Sequence, residues 1–220
     1  MNASVRVDHA LVAVESRHRV HLMLELAAPA VATTRAPLAL ALVLDRSGSM
    51  AGGKIETARR CASWLVRRLA PDDRLALVDF DDRVRLLAPL GPPDAARLDA
   101  AIASIHPRGS TNLSGGWLKG VEALNGAPEH ARKVLLLTDG LANEGVADRG
   151  TLAQLARSWR AAGVGTATIG LGDDFDEELL TAMADAGGGN AHYAPNADAA
   201  PGIFARELDG LAQLVAQNLS

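Results

Sequence analysis

The chain has one cysteine, Cys61, in 220 residues. That excludes a disulfide framework and a thiolate zinc cluster, since both need several cysteines at set spacings. Cys61 falls inside a helical pattern and is read as a structural thiol. A basic surplus is also missing. Lys plus Arg number 22 against 26 Asp plus Glu, for a net charge of -4. Nothing therefore argues for nucleic acid as a partner. The first residues lack the basic start and apolar core of a secretion signal, because Val5, Val7 and Val12 are interleaved with charges. The longest apolar run, Pro37 to Leu44, is far too short to cross a membrane. A chain without direct membrane insertion is expected, cytoplasmic if it is complete and of no implied location if it is a piece of something longer. The histidines (His9, His18, His21, His106, His130 and His192) show no metal-ligand spacing and are read as surface residues. There is no internal repeat and no low-complexity segment. The one linker-like stretch is 28–36.

What is present is ordinary globular material, 48% hydrophobic and 22% charged, in a length that suits one α/β domain with a small appendage. Residues 4–14 and 18–27 alternate loosely, with a polar break at Ser16 to His18, and read as an antiparallel hairpin. From Leu38 the pattern changes. Leu38 to Leu44 and Val134 to Leu137 are apolar on both faces, as in central parallel strands covered from both sides. Leu75 to Phe80, Val84 to Leu87, Val164 to Leu171 and Ala191 to Ala194 give further strands. Helical spacing lies between them, at Ile55 to Leu69, Leu98 to Ile102, Leu113 to Leu124, Leu152 to Trp159, Leu179 to Met183 and Ile203 to Val215. Trp64, Trp117 and Trp159 fall on helices and are read as packing residues. The alternation predicts a doubly wound, mostly parallel, Rossmann-like sheet of about six strands, with helices on both faces and an amino-terminal hairpin. The expected division is hairpin and linker over 1–36 and one α/β domain over 37–220.

Ligands of such sheets bind beyond the carboxyl ends of the strands. After Leu44 comes Asp45-Arg46-Ser47-Gly48-Ser49, after Leu137 comes Thr138-Asp139-Gly140, and Gly109-Ser110-Thr111-Asn112 precedes a helix. Asp45, Ser47 and Ser49 are spaced by two, so in an extended loop they point one way. A hard cation such as Mg²⁺ takes oxygen ligands at roughly 2.0–2.1 Å and keeps some water. Two carboxylates and three hydroxyls suit it and leave it electrophilic.

These residues carry a resemblance. Asp45-x-Ser47-x-Ser49, then Thr111, then Thr138-Asp139-Gly140 resembles the metal-ion-dependent adhesion site of von Willebrand factor type A domains, in their bacterial form. The likeness runs from about Leu38 to Leu219. It implies a divalent metal, Mg²⁺ with Mn²⁺ or Ca²⁺ as substitutes. Ser47, Ser49 and Thr111 would be direct ligands, and Asp45 and Asp139 would act directly or through water. It also implies protein–protein recognition in which a partner Asp or Glu completes the metal shell, with no catalysis. In longer bacterial relatives the amino-terminal strands belong to a β-rich region completed after the last helix. The sequence given stops at Ser220, so the hairpin of residues 4–27 is expected either to lack that sheet or to extend the main one.

Two rivals share the residues. Gly48 to Lys54 matches the G-x-x-x-x-G-K phosphate loop after an apolar strand, so a P-loop-like nucleotide-binding protein is the alternative. It fails at Ile55, where Ser or Thr should stand, and leaves Asp45, Ser47 and Thr111 without roles. On the metal reading Lys54 is a solvated first-turn residue. A serine hydrolase lacks the G-x-S-x-G elbow. Asp173, Asp174, Asp176, Glu177 and Glu178 read as helix-capping acids, not as a calcium loop. Asp79, Asp81 and Asp82 lie near the proposed metal edge and read as a solvated strand end, with tuning of the metal as the alternative.

Overall fold

The structure, a computed structural model, describes residues 2–8, 19–27, 37–140, 142–173, 175–196, 198–199 and 202–207. The chain divides into two compact units, a small one that contains the amino-terminal strands and a large one over Ala36–Ala212.

In the small unit, β1 (Asn2–Val7) pairs antiparallel with β2 (Leu22–Ala27), in a register that sets Val7 opposite Leu22. The Asp8 amide continues the ladder by donating to the His21 carbonyl at 3.2 Å. This is the predicted hairpin, with β1 starting at Asn2 and β2 starting only at Leu22. Residues 9–18, with the expected break at Ser16 to His18, and the linker-like stretch 28–36 lie outside the described residues. Val5, Val7, Leu22 and Leu24 are all more than half exposed, so the ribbon buries little by itself.

The large unit alternates strands and helices: β3 (Leu38–Asp45), α1 (Gly53–Val66), β4 (Arg74–Phe80), β5 (Val84–Gly91), α2 (Ala95–Ala103), α3 (Leu113–Ala123), β6 (Ala131–Thr138), α4 (Arg149–Ala161), β7 (Val164–Leu171), α5 (Glu177–Gly187) and β8 (Gly188–Ala194). Residues 202–207 are helical again, and the rest of the predicted last helix lies outside the described residues. The strands form one six-stranded sheet in the order β5-β4-β3-β6-β7-β8. Every pairing is parallel except that of the edge strand β5 with β4.

Strand alternation divides the core. On β3 the even residues Leu38, Leu40, Leu42 and Leu44 face α1 and α2 residues such as Ile55, Leu65 and Ile102, together with Phe204. The odd residues Ala39, Ala41 and Val43 face Leu113, Trp117 and Val121 of α3 and the buried sides of α4 and α5. The expected packing role of the tryptophans holds: Trp117 is fully buried, and Trp64 and Trp159 pack partly buried against the two clusters. The small residues on the odd face let α3 approach closely. A Cβ at Gly116 would meet the Phe80 ring, and one at Gly120 would meet Val43 Cγ2. Among the described residues, four helices carry side-chain caps that satisfy free amide donors at their starts. Asp94, Asn112, Asp148 and Asp176 accept from Arg97, Gly115, Thr151 and Leu179. With Glu177 and Glu178 in its first turn, α5 has the acidic start that was expected.

The sheet changes direction between β3 and β6, since β4 and β5 lie to one side and β7 and β8 to the other. Doubly wound sheets open a crevice at such a point, beyond the strand carboxyl ends. Asp45 ends β3 there, and Asp139 follows β6.

Two histidines depart from the surface reading. The His130 side chain is only 10% exposed. The His192 ring lies 2.9 Å from the buried Glu207 carboxylate, which also pairs with Lys133 and accepts from Asn190 at 3.0 Å. Histidine spacing in the sequence carries no sign of this cluster, because its members come from β6, β8 and the helical segment. His9 and His18 lie outside the described residues.

Candidate metal site

The register of β3 on β6 sets Leu44 beside Leu137, so Asp45 and Thr138 meet at the next step. The Thr138 hydroxyl donates to Asp45 Oδ2 at 2.5 Å, and the Gly140 amide donates back to Thr138 Oγ1 at 2.8 Å. The other Asp45 oxygen accepts the Ser47 amide at 2.7 Å, which turns the loop so that Ser47 follows closely. Asp45 is fully buried. Burial pushes its carboxyl up to about 6, against the pull of the Thr138 and Ser47 hydrogen bonds, and the charge of Asp139 adds to the rise. The motif reading includes Thr138 but gives it no role. Its hydroxyl orients Asp45 and ties the two switch-point strands together.

Ser47 Oγ and Ser49 Oγ are 3.1 Å apart, and Ser49 Oγ donates to Asp139 Oδ1 at 2.8 Å. Lys54 Nζ donates to Asp139 Oδ2 at 2.9 Å. Thr111 arrives from the loop before α3. The Gly48 amide donates to the Gly109 carbonyl at 3.0 Å, which joins that loop to the serine loop. The loop after β6 then grips Thr111: its amide donates to Asn143 Oδ1 at 2.8 Å, and its carbonyl accepts the amides of Asn143 and Glu144. Asp45, Ser47, Thr111 and Asp139 are buried, whereas Gly48 and Ser49 are exposed, so the group opens to solvent on the serine side.

The donor set is hard oxygen throughout: two carboxylates and three hydroxyls. Among the described residues no group of three or more His, Cys, Asp or Glu is placed to hold a metal, so a site built of those ligands alone is absent there. Asp139 also draws a positive charge, since the Lys54 ammonium sits on its Oδ2. Mg²⁺, Mn²⁺ or Ca²⁺ suits such donors, and a thiophilic metal does not.

The phosphate-cradle alternative finds little support. A cradle needs a row of free loop amides, but those of Ser47, Gly48, Met50 and Ala51 donate to Asp45, Gly109, Ser47 and Gly48. Met50 is fully buried in the core. Nor is Lys54 the solvated residue that was expected, because its side chain is only 24% exposed and ion-paired.

A second correction concerns Asp79 and Asp81, which are not a solvated strand end. Both are fully buried. Arg46, between Asp45 and Ser47, turns its guanidinium inward, with Nε 3.2 Å from Asp79 and a terminal nitrogen 2.6 Å from Asp81. Arg85 pairs with Asp79, and Arg108 lies 3.0 Å from Asp81. The Arg46 amide donates to the Phe80 carbonyl at 2.8 Å, and the Arg46 carbonyl accepts the Arg108 amide at 2.8 Å. The serine loop is thereby clamped to β4 on one side and to the Thr111 loop on the other. The variable position of D-x-S-x-S gives no sequence sign of such a role.

Comparison with known proteins agrees with this architecture. The model of the von Willebrand factor type A domain matches residues 39–206. The protein sll0103 of Synechocystis sp. is 34% identical over 165 residues, which is 74% of this chain and 39% of that protein, so the chain spans well under half of that relative's length. A von Willebrand factor type A structure from Catenulispora acidiphila superposes with a TM-score of 0.73 at 20% identity, covering 99% of this chain and 51% of that one. Proximal thread matrix protein 1 of the mussel byssus, whose structure is described with a zinc-occupied metal-ion-dependent adhesion motif, gives a TM-score of 0.67 at 20% identity over 81% of this chain and 48% of that one. The chain belongs to the von Willebrand factor type A family.

Proposed function

We propose that this domain recognises a protein partner through one divalent metal held at the switch point, Mg²⁺ in the cell, with Mn²⁺ and Ca²⁺ as substitutes. Ser47, Ser49 and Thr111 are the direct ligands, and Asp45 and Asp139 serve directly or through water. The bound metal supplies an electrophilic coordination position. The chain's residues do the rest. Thr138 and the Ser47 amide hold Asp45 in place, the Arg46 clamp fixes the serine loop, and the exposed Ser49 side admits a carboxylate of the partner. The observation that carries the reading is the meeting of both carboxylates and the serine hydroxyls at one strand edge, with a cation already drawn to Asp139. The zinc-occupied motif of the mussel protein supports it by likeness of fold.

A binding role, not catalysis, is the reading. The Ser47 and Ser49 hydroxyls bond to each other, Ser49 also donates to Asp139, and among the described residues no histidine bonds to either. No described helix is long and apolar enough to cross a membrane. The domain boundary near residue 37 belongs to the same proposal. The partner is another protein or a neighbouring domain of a longer chain.

Electron paramagnetic resonance of Mn²⁺ added to EDTA-stripped protein tests the site. One bound Mn²⁺, lost in Thr111→Ala and in Asp139→Ala and indifferent to ATP, is the expected result. Binding that survives both substitutions, or that needs ATP, would sink the reading.

A further inference from the structure

The lysine at the mouth of α1 is out of place by local rules. Lys54 is the second residue of the helix, where the macrodipole disfavours a cation. Glu56 two residues on is the charge that belongs there. Nor does Lys54 extend into water. Its Nζ sits 2.9 Å from Asp139 Oδ2, with the lysine side chain 24% and the aspartate 3% exposed. The route is shaped for it. The stem passes over Gly172, just beyond β7 at φ +76, and a Cβ there would come within 2.6 Å of Lys54 Cε. With Ser49 on Oδ1 and Lys54 on Oδ2, both Asp139 oxygens are engaged.

Resting on the metal reading above, we propose that Lys54 is a tethered cation that competes with the metal for Asp139. Without metal, the ammonium offsets one of two neighbouring carboxylates and keeps the strand edge folded. When a dication arrives, it meets a like charge in a half-dry setting where Coulomb forces are weakly screened. Metal affinity is therefore lower than the oxygen donors alone would give, and metal-free stability is higher. Lys54 thus sets the metal concentration at which the site fills.

The test uses the full chain, stripped with EDTA. Mn²⁺ is titrated by paramagnetic resonance, and thermal melts are run with and without saturating Mn²⁺. Lys54→Met removes the charge and keeps the stem, Lys54→Gln is a second charge-removing variant in case the first folds poorly, and Lys54→Arg keeps the charge. The neutral variants should bind Mn²⁺ roughly tenfold or more tightly, since tenfold is a modest share of a dication–ammonium repulsion at this range. The arginine variant should stay within about threefold of wild type, because it retains the charge that sets the repulsion. The neutral variants should melt lower than wild type without metal, and saturating Mn²⁺ should close the gap. Equal or weaker Mn²⁺ binding in folded neutral variants overturns the role of Lys54 while the site itself stands. A melting gap that metal leaves unchanged makes Lys54 a plain structural residue and also overturns it. If wild type and variants alike bind no Mn²⁺, the metal reading fails and this proposal falls with it.

Discussion

The Arg46 guanidinium lies 2.6 Å from the Asp81 carboxylate, with the two side chains 4% and 0% exposed. One residue of the serine loop is thus anchored beneath the strand edge by a charge just past the end of the neighbouring strand β4. A buried pair of this kind is costly to break from one side, because the remaining charge stays in low dielectric.

Arg46→Met is expected to destabilise the domain by roughly 3 kcal/mol, since it strands the carboxylates of Asp79 and Asp81. Arg85 and Arg108 still reach them, which moderates the loss. Urea unfolding at constant slope is the measurement. A loss below about 0.5 kcal/mol, the level of an ordinary surface change, would show that the clamp adds nothing.

Packing of α3 on the sheet leads to a second expectation. A methyl group at Gly120 has no room beside Val43 Cγ2. Helix propensity alone favours alanine over glycine by about 1 kcal/mol. Gly120→Ala should nevertheless destabilise, by about 1–3 kcal/mol, as overpacked cores do. A rise in the denaturation midpoint would mean that α3 can retreat freely.

Acid should act through Glu207. Burial alone would raise its carboxyl, but the His192 hydrogen bond, the Lys133 charge and Asn190 hold it at about 2, against an ordinary 4.5. The folded value lies below the unfolded one. The stabilisation is therefore complete above about pH 4.5 and drains away as the pH falls towards 2. Glu207→Gln should lose stability at neutral pH and show a shallower decline over that acid window. Parallel curves for the two proteins between pH 5 and 2 would contradict the assignment.

Cys61 is fully buried, and burial pushes its thiol up to about 12. A disulfide reagent near neutral pH should leave it untouched in the folded domain and label it on unfolding in urea. Rapid labelling of the native protein would show that α1 opens readily.

Strand and helix positions were legible because β3 and β6 are apolar on both faces and the helices carry clear periodicity. Edges were read less fully. β5 runs to Gly91, beyond the expected Leu87, because Pro89 reads as a strand breaker in the sequence yet is tolerated on an edge strand whose pairing with β4 is irregular. The five predicted ligand positions belong to segments that the fold brings to one edge, with direct bonds linking Ser47, Ser49 and Asp139. The supporting residues stayed hidden. Asp79 and Asp81 look like any polar strand end until Arg46 folds inward to meet them. Lys54 looks like any first-turn lysine until β6 delivers Asp139.

By itself, the sequence determined the alternation of elements, the parallel sheet and the three oxygen-bearing segments, two at strand ends and one before α3, because periodicity and turn chemistry are local. Only the tertiary structure decided which charges meet: Arg46 with Asp79 and Asp81, Lys54 with Asp139, and Glu207 with Lys133 and His192. Those pairings join residues up to 85 positions apart in the chain. Buried charges take partners by proximity in space, and spacing along the chain carries no record of that.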